Sequence, residues 1–304
     1  SDDYDADFEW AYMTYMLNNN VNISAGRLRM PLFKYSASLD IGYSYHWLTP
    51  PDAIYGIDFN NIDGVRLDYS TYSGDWEYGG QLTVGRVETD TTISGTPAAL
   101  ELENVMALSL EATRDWFSAR TLFARAKVSA FNDDFETFVD GLNAFGSSIP
   151  SASLAAAGFS VDEDTGTFFE VAVDIDKYDW FVGAEFTQTE VDGAVIADNK
   201  AWYVTAGMRF GKFTPHITYE VEEADNGTQL GLVSALPSTI STGEAVTDAT
   251  WASIYQTSAG IAAQQELDVS ALTVGIRYDV EPGFALKTDV TWYSDDLNDL
   301  NDET

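Results

Sequence analysis

Ala271-Leu272-Thr273-Val274-Gly275-Ile276-Arg277-Tyr278-Asp279-Val280 runs into the turn Glu281-Pro282-Gly283 and then into Phe284-Ala285-Leu286-Lys287-Thr288-Asp289-Val290-Thr291-Trp292-Tyr293. In the first stretch Leu272, Val274, Ile276, Tyr278 and Val280 alternate with small, polar or charged residues. In the second, Phe284, Leu286, Val290 and Trp292 alternate with Lys287, Asp289, Thr291 and Tyr293. A period of two belongs to a strand with one apolar and one polar face. Pro and Gly between the stretches supply a tight turn, so the pair reads as a hairpin. Residues 202–210 repeat the pattern, with Trp202, Val204, Ala206, Met208 and Phe210 set against Tyr203, Thr205, Gly207 and Arg209.

Outward from this hairpin the same period predicts about twelve strands. They fall near 8–17, 21–31, 62–73, 76–88, 103–114, 117–131, 166–176, 180–190, 200–210, 213–223, 268–280 and 284–294. Most are longer than the roughly five or six residues of a globular strand and suit a tilted bilayer crossing of about 9–11. Short connections at 18–20, 74–75, 114–115, 177–179, 211–212 and 281–283 alternate with long ones at 32–61, 89–102, 132–165, 191–199 and 224–267. Short turns on one rim and long loops on the other are the layout of an all-β, antiparallel, up-and-down barrel in an outer membrane. Trp76, Trp116, Trp180, Phe213 and Phe284 each follow a short turn on the apolar parity. They are expected to form an interfacial aromatic girdle, with Phe169, Trp202, Tyr219 and Trp292 in a second one at the far ends. Ordinary core aromatics would have no reason to gather beside turns.

Composition narrows the choice. The 304 residues carry 49 acidic and 15 basic side chains, a formal net charge of -34, and no cysteine. So acidic a chain is a poor partner for nucleic acid. Without cysteine there is neither a disulfide framework nor a thiolate metal site. A content of 45% hydrophobic and 13% aromatic residues is too rich for disorder. No apolar run reaches the roughly 18 residues of a membrane helix, and no signal peptide is expected. A closed barrel crosses a membrane without such a helix.

Parity assigns Arg27, Arg29, Arg66, Arg125, Lys127, Arg209, Arg277 and Lys287 to the lumen, together with Asp68, Glu111, Glu170, Asp174, Glu185, Glu220, Glu222 and Asp289. A charge on the lipid face would cost about 2–4 kcal/mol at the midplane. A wet lumen with both signs of charge sets up a transverse field that orders water and favours polar solutes. Arg27, Arg29 and Arg66, on adjacent strands, are expected to form one basic wall; the plainer reading is that they pair with Asp68 and its neighbours and brace the barrel. Acidic clusters at 2–7, 133–136, 162–164 and 295–303 read as a solvated rim, or as ligands for divalent cations that bridge lipopolysaccharide, with no specific metal site among them. Acidic mouths concentrate cations, so a weak cation preference is expected. Residues 133–145 read as an amphipathic helix with Phe135, Phe138, Val139, Leu142 and Phe145 on one side, suited to narrow the lumen or to cap a subunit interface.

One segment adds a resemblance. Gly26-Arg27-Leu28-Arg29-Met30-Pro31-Leu32-Phe33, then Tyr35-Ser36, Leu39-Asp40-Ile41-Gly42-Tyr43, Trp47-Leu48-Thr49-Pro50-Pro51 and Ile54-Tyr55, resemble porin-like proteins of gammaproteobacteria within the Gram-negative outer-membrane porin superfamily. The resemblance implies a barrel of about sixteen strands, a homotrimer, contact with outer-membrane lipid and lipopolysaccharide, and passive diffusion of ions and small hydrophilic solutes through a water-filled channel. It implies no cofactor and no catalytic residue. Segment 32–56 departs from the short folded-in loop of general porins. The strand reading leaves residues 1–7 as loop and 295–303 as an acidic tail without a closing strand. A single barrel domain spanning 1–304 is therefore expected to lack at least one strand at each end, for a total of about 14–16.

An enzyme is not expected. His46 and His216 have no second histidine at metal spacing. A barrel lipase needs its Ser–His pair toward lipid, and His216 falls on the lumen parity. The competing expectation is a non-conducting barrel acting as structural anchor, surface receptor or sheath for a partner protein. A plugged lumen would favour it.

Overall fold

A computed structural model describes residues 8–56, 61–93, 96–193, 196–225, 227–264, 266–295 and 297. Twelve strands form one antiparallel sheet in chain order: β1 (Ala11–Met16), β2 (Val21–Arg29), β3 (Asn61–Ser73), β4 (Trp76–Ile93), β5 (Thr96–Arg114), β6 (Phe117–Phe131), β7 (Asp164–Asp176), β8 (Trp180–Val191), β9 (Asp198–Met208), β10 (Phe213–Asp225), β11 (Leu267–Glu281) and β12 (Phe284–Asp295). Among the described residues no ladder joins β1 to β12, so each has one strand neighbour. Helices α1 (Asp52–Tyr55), α2 (Asp133–Phe145), α3 (Pro150–Phe159), α4 (Gly227–Ser234) and α5 (Ala245–Gln264) lie in the connections. No helix among the described residues is long and apolar enough to cross a membrane.

The register explains the two faces. Leu67, Leu82, Leu108, Phe123 and Phe169 sit opposite one another along one row, all pointing outward and all exposed. The next row, Asp68, Gln81, Ser109, Leu122 and Glu170, points inward. An apolar outside and a largely polar inside are what lipid and a wet lumen demand. At the short-turn rim Trp180, Phe213 and Phe284 are exposed on the outward face, and Trp202 and Trp292 are exposed toward the opposite rim. Trp76 stacks on Tyr78 there and meets Phe117 edge-on at 6.0 Å. Trp116 departs from expectation. It lies in the β5–β6 turn under the ammonium of Lys177, 4.1 Å from its ring centroid, and Phe117 opens β6 on the outward side. The two-residue turn sits at 115–116, one position later than the expected 114–115.

Toward the long-loop rim the two faces exchange character. Leu28, Ile62, Val87, Leu102, Val105, Ala124 and Val128 point inward and are buried, while Arg27, Asp63, Arg86, Glu88, Glu103, Arg125 and Lys127 point outward. The segment 89–102, expected as a loop, continues the β4–β5 hairpin, giving strands of 18 and 19 residues. That is more than a bilayer crossing needs, so the surplus stands clear of the apolar row. Bulges between Gly85 and Val87 and between Glu103 and Met106, the second with Asn104 at φ 52°, set the inward rows of this upper wall. Just below it Gly26, Gly64 and Gly85 share a single row. A Cβ on Gly64 would come within 2.1 Å of the Val84 carbonyl oxygen, and Gly26 holds φ +133°. Only glycine lets the strands approach so closely there.

Helix α2 covers the expected residues. The Asn132 side chain accepts a hydrogen bond from the Phe135 N–H at 3.0 Å, and Asp133, Asp134 and Glu136 fill the first turn, where the helix end favours negative charge. Phe138 packs on Phe159 of α3, and Phe145 on Trp251 of α5. Leu142, Phe159 and Trp251 are fully buried in the apolar core that continues down the upper wall. Helices α4 and α5 replace the loop expected over 224–267. The acidic residues at 2–7, Asp296, Asp299, Asp302 and Glu303 lie outside the described residues.

Candidate functional site

The β2–β3 connection folds into the barrel. Its sequence dictates this: Phe33, Tyr35, Tyr45, Trp47 and Tyr55 form one aromatic cluster with ring centroids 5.2–6.5 Å apart, and such a cluster gains most by leaving water. Wall residues Phe168 and Tyr203 complete it.

Polar groups of the wall fasten the loop from β6 round to β12. The buried Glu185 carboxylate on β8 accepts hydrogen bonds from the Lys34 N–H at 3.0 Å, the Tyr55 hydroxyl at 2.5 Å and the Tyr203 hydroxyl at 3.1 Å. Arg120 on β6 donates to the Leu32 carbonyl oxygen at 3.3 Å and to that of Pro31, and pairs with Glu170 at 2.7 Å. Lys34 reaches Asp174 on β7. The Trp47 indole N–H donates to Thr218 on β10 at 2.8 Å, and the Ala53 N–H to Glu220 at 3.2 Å. On the last two strands Arg277 donates to the Tyr43 and Tyr45 carbonyl oxygens, Lys287 to that of Trp47 and to that of Gly42, and Asp289 accepts the Leu48 N–H at 2.8 Å. Buried carboxylates are stable only with such partners. Removing one partner would leave a desolvated group at roughly 1–3 kcal/mol.

His46 and His216 meet beneath the loop, ring centroids 4.7 Å apart. His46 shares a hydrogen bond with Thr205 at 3.0 Å, and His216 lies 3.3 Å from Asp289. Burial pushes the His46 imidazole down to about 2, so it is neutral, and pushes the Lys34 ammonium down to about 8. Among the described residues no group of three or more His, Cys, Asp or Glu could hold a metal ion.

Two polar spaces flank the loop. One of about 380 Å³ opens against β2–β7, with Arg29, Arg66 and Arg120 facing Asp68, Glu111 and Asp174. The other, about 350 Å³, lies against β10–β12 and carries Asp52, Glu220 and Asp289.

The expected lumen residues divide accordingly. Arg66 and Asp68 point inward and pair at 3.1 Å. Glu170, Glu185, Glu220, Arg277, Lys287 and Asp289 stand on the inner face, and Arg209 stands at the short-turn rim paired with Asp176 at 2.6 Å. Arg29 turns into the larger space, bonded to the Ser36 carbonyl oxygen and paired with Asp40. Three expectations are corrected. Arg27 shares the outward face with Val65 and Leu67 and forms a two-pronged pair with Asp63. Arg125 and Lys127 share the outward face with Phe123, and Lys127 binds the Glu163 carbonyl oxygen at 2.6 Å. Their inward neighbours are Leu28, Ala124, Ala126 and Val128, because at this height it is the lumen side that is apolar. The expected wall of Arg27, Arg29 and Arg66 therefore reduces to Arg29 and Arg66, joined by Arg120. Sequence reading missed Arg120 because the parity that placed Trp116 on the apolar face and Arg125 in the lumen puts Arg120 outward, and it missed Lys34 and Tyr55 because nothing in a loop announces its wall partner.

Neither a protein-family model nor a curated protein sequence matches the chain. Solved structures do. OmpF of Salmonella typhi, in complex with daunomycin, aligns over 90% of this chain and 66% of its own, with a TM-score of 0.51 and 11% identity. The fold is that of the outer-membrane porins. Outer-membrane-expressed OmpT of Vibrio cholerae aligns over 91% of this chain and 68% of its own, at 0.50 and 12%. The in-vitro folded form of that outer-membrane protein aligns over 93% and 77%, at 0.50 and 10%. This chain thus spans about two thirds of the OmpF chain. An antiparallel β-barrel fold with an apolar, aromatic-edged exterior suits the bacterial outer membrane.

Proposed function

We propose that the chain forms an outer-membrane channel for passive diffusion of ions and small hydrophilic solutes, constricted by the β2–β3 loop. The observation that carries this reading is the larger lumen space, lined by Arg29, Arg66 and Arg120 together with Asp68, Glu111 and Asp174 and bounded by that loop. Such a field favours charged and zwitterionic solutes over apolar ones. The paired histidines, engaged with Thr205 and Asp289, support a bracing role and not catalysis. We further propose that additional strands close the ring between β12 and β1, giving one barrel domain of about 14–16 strands, that lipopolysaccharide surrounds it, and that it assembles as a homotrimer.

Single-channel recording in planar bilayers is the test. Stepwise currents that grow in a Glu185→Gln/Tyr55→Phe variant support a loop-constricted pore. Absence of stepwise current in both proteins would sink it. The alternative is a non-conducting barrel acting as anchor, receptor or sheath. It is favoured by the fully buried Leu142, Phe159 and Trp251, which join the helices to the upper wall.

A further inference from the structure

The upper wall contains a cavity of about 230 Å³ that takes no part in the polar path. It lies on the lumen side of β5–β8, beneath Met30 and Leu32 of the inward loop and beside Ile196 of the β8–β9 connection. Leu102, Val105, Val128 and Phe168 line it; of its polar neighbours, Arg125 and Thr167 belong to the outward row, which leaves Thr189. The space is not sealed: it is a hollow in the inner wall, partly open on the lumen side and lined almost wholly by apolar atoms. Water would find almost no partners in it, and an apolar cavity of only about 150 Å³ takes up benzene.

The space is also built by the sequence. Ala126, Gly166 and Val191 stand opposite one another in one inward row, with Ala124 two residues along β6. A strand facing a core ordinarily carries large side chains; here the floor is Ala, Ala and Gly. A Cβ on Gly166 would come within 2.6 Å of Val128 Cγ2. Gly166 thus lets Val128 pack down onto β7, and the short Ala124 and Ala126 side chains leave the hollow that Leu102, Val105 and Phe168 border.

We propose that this cavity binds a small uncharged apolar molecule the size of a monocyclic hydrocarbon, taken up from the lumen side. The shared chemistry also fits one end of an acyl chain, and the experiment separates the two. Fluorobenzene is titrated into folded protein in lipid nanodiscs and followed by ¹⁹F NMR, for the wild type, Ala126→Phe and Ile196→Glu. Ile196 lies in a connection, so its variant reports even where Ala126→Phe disturbs folding. The expected result is a saturable shift whose affinity falls at least about tenfold, or about 1.4 kcal/mol, in both variants, and is unchanged in Leu154→Gln on the exposed face of α3. Non-saturating partition, equal in all four proteins, would overturn the proposal. Displacement of fluorobenzene by dodecanoate but not by toluene would overturn it too, assigning the cavity to a lipid chain. Bilayer conductance of the same variants reports on the channel separately.

Discussion

The lower and upper halves of one wall obey opposite rules. Along the row of Leu67, Leu82, Leu108, Phe123 and Phe169 apolar side chains face out, and the adjoining inward row is mostly polar. A few residues higher on the same strands Leu28, Leu102, Ala124 and Val128 face in, and Arg27, Arg86, Arg125 and Lys127 face out. The backbone pattern is the same; the solvent differs. Below, lipid lies outside and water inside. Above, the outward row carries charge, and the inward row joins an apolar core that includes the aromatic loop and the packed helices. A strand therefore has no fixed meaning for its apolar parity until its height in the wall is known.

The largest effect that could break this contrast is in the upper core. Leu28 is completely buried, and Leu28→Ala should lower unfolding free energy by about 2–5 kcal/mol, measured by urea unfolding in lipid vesicles. A loss no larger than that of a surface residue would mean the upper half is not packed. Next comes the lower exterior. Val274→Arg should cost about 2–4 kcal/mol in the same assay, and a neutral outcome would show that this face does not meet lipid. A smaller, functional effect comes from Lys34. Its ammonium carries charge below about 8 and loses it above. The lumen then becomes more negative, so reversal potentials should move toward cation preference as pH rises through that value, and Lys34→Met should diminish the shift. Smallest of all is the upper exterior: Arg125→Leu should change stability by no more than about 0.5 kcal/mol, whereas Ala124→Arg, on the inward side of the same strand, should behave like a core defect.

The strands were legible because an apolar outer face imposes a period of two across their lower halves, and the hairpin at 271–293 displays it with Thr288 alone out of step. Helix α2 was legible from Phe135, Phe138, Val139, Leu142 and Phe145. Helix α5 was not, because its Ser, Thr, Ala and Gly content reads as loop; packing of Trp251 against Phe145 holds it. The face of Arg27 and Arg125 was illegible because parity was carried upward past the level where the environment reverses. Segment 89–102 was misjudged for a related reason. Above the bilayer a hairpin needs no apolar outer row, so Asp90 and Glu101 look like loop residues. In the lumen, Glu185 could be seen as inward-facing, but its loop partners are remote in sequence: Lys34 is 151 positions distant and Tyr55 130.

The shared row of Gly26, Gly64 and Gly85 has a practical corollary. A side chain at Gly64 or Gly85 would drive a Cβ into the backbone of the neighbouring strand. Random mutagenesis followed by selection for folded protein should therefore return glycine at both positions, while the exposed rows around them diversify.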